Sequence, residues 1–221
     1  MGDKITIGND IVDRNTSELG AHGRFPKRVL SPQEQEFLTE DPDAIWQFWA
    51  AKEAAYKAIK RIAPTTIFSP RTFEFSPKEG SVRFQDISLY CRFIEDPEYI
   101  AVVCSNSPEL LHSQDLHNWV GTVEEWNLNA SRWGTPKRGL ESRAVREMAA
   151  SKISSIINIA TERLDFDYVD VGDQKLVGLS KPRIPTLTID DTASDDLLSF
   201  SHHGRFILAS FVAGRHISEI G

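Results

Sequence analysis

The 221-residue chain is short of cysteine, with only Cys91 and Cys104, and short of positive charge: 25 lysines and arginines face 32 acidic residues, for a formal net charge of -7. With no CxxC pair and no closely spaced histidine, the sequence encodes neither a disulfide framework nor a local zinc site, and buried free thiols are expected. The acidic balance excludes a nucleic-acid binder held by a broad basic surface, although it leaves room for a local basic cleft around a phosphorylated small molecule. Long apolar runs are missing too. Nothing approaches a membrane span, and the N-terminus lacks a basic stretch followed by an apolar core and a cleavage site. No membrane partner and a cytoplasmic location are therefore expected.

What is present is an ordinary globular composition, 40% hydrophobic and 26% charged, with 12 Phe and 5 Trp to build a core or line a cleft. Residues 4 to 12 read as a β-branched strand leading into an acid, Asp10, at its end. Ser31-Pro32-Gln33-Glu34 reads as a capped helix start, for a short helix through about Leu38. A longer helix is expected from about Asp43 to Arg61, with Ile45, Phe48, Ala51, Ala55, Ile59 and Ile62 on one face and Pro64 ending it. Alternating residues from Phe73 to Val103 predict a sheet packed on that helix. The stretch from Ser105 to about Gly139, broken by Pro108, Gly121, Gly134 and Pro136, reads as a domain connection.

After it the order returns: a helix from about Glu141 to Ala160, strands over Asp167 to Val171 and Arg183 to Ile189, and a hairpin of Leu197 to Phe200 with Phe206 to Val212. The expected class is α+β, two similar α/β-sheet halves, 1–115 and 116–221, with a ligand cleft between them.

Three strings carry chemistry. In Gly8-Asn9-Asp10-Ile11, the acid needs a metal ion, a cation or water if it is buried, and otherwise caps backbone groups at a strand end. Glu53 and Lys57 in Trp49-Ala50-Ala51-Lys52-Glu53-Ala54-Ala55-Tyr56-Lys57 lie one helical turn apart. Alone they read as an exposed ion pair worth about 0.3 to 0.5 kcal/mol. Together, Asp10 and Glu53 supply carboxylate oxygens for Mg²⁺, and Lys52 and Lys57 supply cations for a phosphate leaving group, as breaking a pyrophosphate requires. Ser201-His202-His203-Gly204-Arg205 sits at a hairpin turn, either as a phosphate-binding cluster or as a solvated turn that needs positive φ at Gly204. Lys181-Pro182 is a basic bend, and Arg143 and Arg146 are neighbours on the second helix, whose default is a solvated face.

In combination and in this order, these strings resemble the 4'-phosphopantetheinyl transferase superfamily, which moves the phosphopantetheine arm of coenzyme A onto a carrier-protein serine. The motif order is that of the short holo-acyl-carrier-protein synthases, whereas the length is that of the two-half surfactin-type enzymes, whose Ser-His half comes first. The resemblance implies a monomer of two halves related by pseudo-twofold symmetry, swapped relative to the surfactin type, with one site between them. It also implies Mg²⁺ held by Asp10 and Glu53, with Glu53 helping to deprotonate the carrier serine and Lys57 assisting departure of adenosine 3',5'-bisphosphate. Lys52 would contact the diphosphate. Ser201 and His202, with Arg143 and Arg146, would hold the 3'-phosphate side of coenzyme A, and Lys181 and Pro182 would lie near the adenine. The partner would be an acyl or peptidyl carrier protein, an acidic helical bundle received by Arg14, Arg24, Lys27 and Arg28. The position two residues after Asp10, acidic in the surfactin type, is Val12, so two protein ligands plus water are expected at the metal. A coenzyme A-binding module without transfer, and a Mg²⁺-dependent phosphoesterase, are the alternatives.

Overall fold

The computed structural model describes residues 4–16, 24–38, 44–126, 133, 139–170 and 183–214. Its first part is a five-stranded antiparallel sheet, ordered β1 (Ile7–Asp13), β5 (Tyr99–Ser105), β4 (Ile87–Glu95), β3 (Ser81–Phe84) and β2 (Glu74–Ser76). Two short helices, α1 (Phe25–Val29) and α2 (Pro32–Phe37), precede the long helix α3 (Ile45–Ile62), which packs on this sheet. At the start of α2, Ser31 and Glu34 form the reciprocal capping box that Ser-Pro-Gln-Glu predicts. Ala50, Ala51, Ala54, Ala55 and Ala58 make the buried side of α3 thin. Gly8 thins the opposing strand as well, since a Cβ there would lie 2.1 Å from the Ala54 carbonyl oxygen and 2.5 Å from the Ala58 nitrogen. Helix and strand touch backbone to backbone.

The stretch read as a connection contains α4 (Pro108–His112), β6 (His117–Thr122) and α5 (Val123–Trp126). β6 escaped the pattern because it is the edge of a three-stranded sheet, β10 (Leu197–His203), β11 (Phe206–Val212), β6, and its residues are mostly half-buried without alternation. α6 (Leu140–Ile157) packs on this sheet, ending at Asn158 in the left-handed conformation. β7 (Leu164–Asp170), β8 (Arg183–Ile189) and β9 (Thr192–Ala193) form a third antiparallel sheet. The molecule is α+β, with several antiparallel sheets.

β1 is the joint. All seven of its residues are buried, so it has no solvent side. Gly8, Asp10 and Val12 face α3 and its core, while Ile7 and Ile11 enter clusters with Leu197, Val212, Phe206 and Leu208 of β10 and β11. Its free edge is closed by side chains of β10: the Asn9 N–H donates to Ser199 Oγ at 3.0 Å and the Asp13 N–H to His203 Nδ1 at 3.0 Å. Asp10 thus lies mid-strand rather than at the strand's end, because the chain continues pairing with β5 through Asp13↔Tyr99.

Candidate active site

The approach of α3 to β1 sets the first group. Asp10 Oδ1 is 2.8 Å from Lys57 Nζ, which also donates to the Asn9 carbonyl at 2.9 Å, and Glu53 Oε2 is 4.0 Å from the same ammonium. One cation thus serves two carboxylates. Burial raises the Asp10 pKa above its ordinary value, although Lys57 and His203 oppose this. Burial and the neighbouring Asp10 charge push Glu53 up to about 7 against the pull of Lys57. Lys57 is itself raised: Asp10 and Glu53 together outweigh its burial. Paired acids with an excess of negative charge are a ready place for a further cation.

Strand β10, packed against β1, approaches this trio. The His202 imidazole is within electrostatic reach of Asp10 and Lys57 from one side and of Glu141 and Arg146 of α6 from the other, with desolvation the largest effect, lowering its pKa. Ser201, between Ser199 and His203, is buried with its hydroxyl unpartnered among the described residues. Arg146 does not lie on a solvated face: it is 1% exposed, bonded to Ser142 Oγ at 2.6 Å and to the Tyr168 hydroxyl, and stacked over the Tyr168 and Phe200 rings. Arg143 is half-buried, and its Nε is buried with no partner among the described residues. Gly204 takes the predicted positive φ, +56°, at the turn. Lys181 and Pro182 lie outside the described residues.

Lys52 does not join the group. Its ammonium, 0% exposed, bonds Glu34 Oε2 at 2.6 Å, the Val29 carbonyl at 2.9 Å and the Pro70 carbonyl at 3.1 Å. All three of its donor sites are used on Glu34, Val29 and Pro70, none of them in the Asp10–Glu53–Lys57 group.

Two residues have roles that the sequence reading did not assign to them. Asp13 is buried and holds Arg205 through Nε at 3.0 Å and through its backbone N–H at 3.0 Å; these bonds, with the Asn15 N–H, overcome burial and bring its pKa to about 2. This carboxylate fastens the β10–β11 turn to β1, and no local spacing announces a contact across 192 positions. Arg61 continues the row Glu53, Lys57 at one more helical turn, a signal that was legible. Its guanidinium donates to the Leu198 carbonyl and, at 3.2 Å, to the Pro185 carbonyl, has no carboxylate partner among the described residues, and is brought to about 10 by burial.

An α+β frame here sets two carboxylates and a lysine near a Ser-His strand, a mix of charges and hydrogen-bond donors that suits phosphate chemistry. Residues 6–104, which contain Asp10, Glu53 and Lys57, match the sequence model of the 4'-phosphopantetheinyl transferase superfamily. This part of the chain is therefore similar to that superfamily, whose members are transferases acting on coenzyme A and carrier proteins. No curated protein and no solved structure shows significant similarity to the chain. Among the described residues no helix is long and apolar enough to cross a membrane.

Proposed function

We propose that the protein transfers the 4'-phosphopantetheine arm of coenzyme A to a serine of an apo carrier protein, in a Mg²⁺-dependent reaction that releases adenosine 3',5'-bisphosphate. The observation that carries this reading is the cluster of Asp10, Glu53 and Lys57, with His202 of β10 within electrostatic reach of Asp10 and Lys57. Among the described residues no cluster of three or more metal-ligating side chains occurs, and the donor set is the pair Asp10 and Glu53. Two carboxylates short of one positive charge fit Mg²⁺, which takes one or two acids and leaves its other positions to water and phosphate oxygens. When bound, the ion would neutralise diphosphate charge.

The side chains do the rest. Glu53 accepts the proton of the attacking serine hydroxyl, and Lys57 places its ammonium against the oxygens of the departing phosphate. His202, the unpartnered Ser201 hydroxyl, Arg143 and Arg146 form the 3'-phosphate side, and Lys181-Pro182 lies near the adenine. Lys52 enters this reading through the placement of α3 rather than through the diphosphate. Arg14, Arg24, Lys27 and Arg28, all exposed, receive the acidic carrier. The halves 1–115 and 116–221 are read as related by a pseudo-twofold: β1 pairs antiparallel with β5 as β6 does with β11, and α3 and α6 are both 18 residues long. A monomer in the cytoplasm suits this arrangement.

The test is intact mass of a panel of apo carriers after incubation with the protein, Mg²⁺ and coenzyme A, with Glu53→Ala in parallel. Addition of one phosphopantetheine arm, slowed about 10²- to 10⁴-fold in Glu53→Ala, supports the transferase. Retained coenzyme A binding with no carrier modified would identify a binding module, and hydrolysis without a carrier a phosphoesterase.

A further inference from the structure

The two cysteines stand directly opposite each other on adjacent central strands, Cys91 of β4 against Cys104 of β5, with their sulfurs 2.8 Å apart and both thiols free. The Cys91 N–H donates to the Gly80 carbonyl at 2.7 Å, on the β3 side of its strand. In an antiparallel sheet a residue's N–H and C=O point the same way, so neither group of Cys91 is spent on Cys104. The two therefore form a non-hydrogen-bonded pair, whose Cα atoms lie about 4.5 Å apart, inside the span a disulfide bridges. Both side chains face α3: Cys91 packs against its cluster, and Cys104 lies within it, with Sγ 3.7 Å from the Ala51 carbonyl. Cys91 is half-buried and Cys104 fully so, which leaves one sulfur open to a reagent and the other held behind it.

We propose that Cys91 and Cys104 are a reversible dithiol-disulfide site, with Cys91 the sulfur that meets a hydroperoxide and Cys104 the one that resolves it. The Cys91 sulfur attacks the peroxide O–O bond and becomes a sulfenic acid, while the proton its thiol gives up ends on the departing oxygen, which leaves as an alcohol, or as water from hydrogen peroxide. The Cys104 sulfur then displaces the sulfenic oxygen, which leaves as water with the Cys104 proton, and an S–S bond forms between the strands. Two thiols are oxidised, one peroxide is reduced, and a small dithiol reverses the step by exchange.

The test treats the whole protein with stoichiometric hydrogen peroxide and follows intact mass, thiol count and peptide maps. The expected product has lost two hydrogens, about 2 Da, has no titratable thiol, joins the Cys91 and Cys104 peptides and returns to the starting mass with dithiothreitol. Cys104→Ser should instead stop at oxygen adducts on Cys91, and Cys91→Ser should leave Cys104 reduced. Oxygen adducts on Cys91 of the unsubstituted protein with Cys104 still titratable, or disulfides between chains, would overturn the proposal. None of these readouts depends on transferase activity.

Discussion

Glu53, Asp10 and Lys57 form a group whose charge is decided by what else is bound. With Glu53 at about 7 and Asp10 also raised, the folded protein keeps protons that the unfolded chain gives up near 4.5 and 3.8. A state that binds more protons when folded loses stability as pH rises, so the Glu53 contribution is fully present below 4.5 and gone above about 7. Without a divalent ion, the melting temperature relative to Glu53→Gln should fall across that window; with saturating Mg²⁺ the fall should shrink, because the ion takes the place of the protons. Calorimetric Mg²⁺ titrations should show affinity rising with pH up to about 7, with proton release seen as a buffer-dependent heat. A pH-independent Mg²⁺ affinity would mean that Glu53 does not hold the ion.

At the scale of elements, the site depends on how α3 and the β10–β11 hairpin are fixed to β1. Lys52 and Glu34 fasten α2 to α3, and Glu34 Oε1 also accepts the Phe75 N–H at 2.7 Å, so a single buried ion pair ties helix, capping box and β2 together. Lys52→Met leaves the Glu34 charge buried without its partner and should cost about 3 to 5 kcal/mol in denaturant unfolding. Lys52→Met with Glu34→Gln should recover much of that loss and leave the coenzyme A Kd unchanged; a large rise in Kd in the stable double variant would put Lys52 back at the diphosphate. Asp13→Asn tests the other attachment. It should cost about 1 to 3 kcal/mol and raise the KM for coenzyme A more than it lowers kcat, since the turn it frees carries Ser201 and His202. An unaltered KM would show that the hairpin keeps its place without this clasp. The helices were readable because α3 and α2 announce themselves within a few residues, by apolar spacing and by a capping box. The strand β6 was not, since its residues are mostly half-buried on both faces and show no alternation, and the burial of Lys52 was not, since its three acceptors come from positions 29, 34 and 70. The pairs that matter most across the chain, Asn9 with Ser199 and Asp13 with Arg205, are separated by 190 and 192 positions and leave no trace in either string alone.

The whole molecule is organised by a strand that belongs to two cores. Asn9 sends its amide to the Ser199 carbonyl and to Ser210 Oγ, both at 2.9 Å, while Ser199 Oγ returns a bond to Asn9 Oδ1 at 3.0 Å, and Ser210 Oγ passes one on to Asn118 Oδ1 at 2.7 Å. These polar groups are buried in register only while β1 and β10 are together, and separating them would leave each unpaired in an apolar wall. Arg61 adds a second connection, from α3 to β8 and β10. A chain with two independent cores would unfold in two steps, whereas one whose halves share β1 should unfold in one. Calorimetric and van't Hoff enthalpies should therefore agree, and residues 1–115 expressed alone should aggregate or melt without a cooperative transition, because Ile7, Asn9 and Ile11 lose their covering. Asn9→Ala should keep the single transition but lower its midpoint, through the unpaired Ser199 and Ser210 groups it leaves behind. Two resolved transitions, or a cooperatively folded 1–115 fragment, would mean that β1 is only a contact between halves. The site would then need coenzyme A to assemble it, and the ligand would merge the two transitions into one.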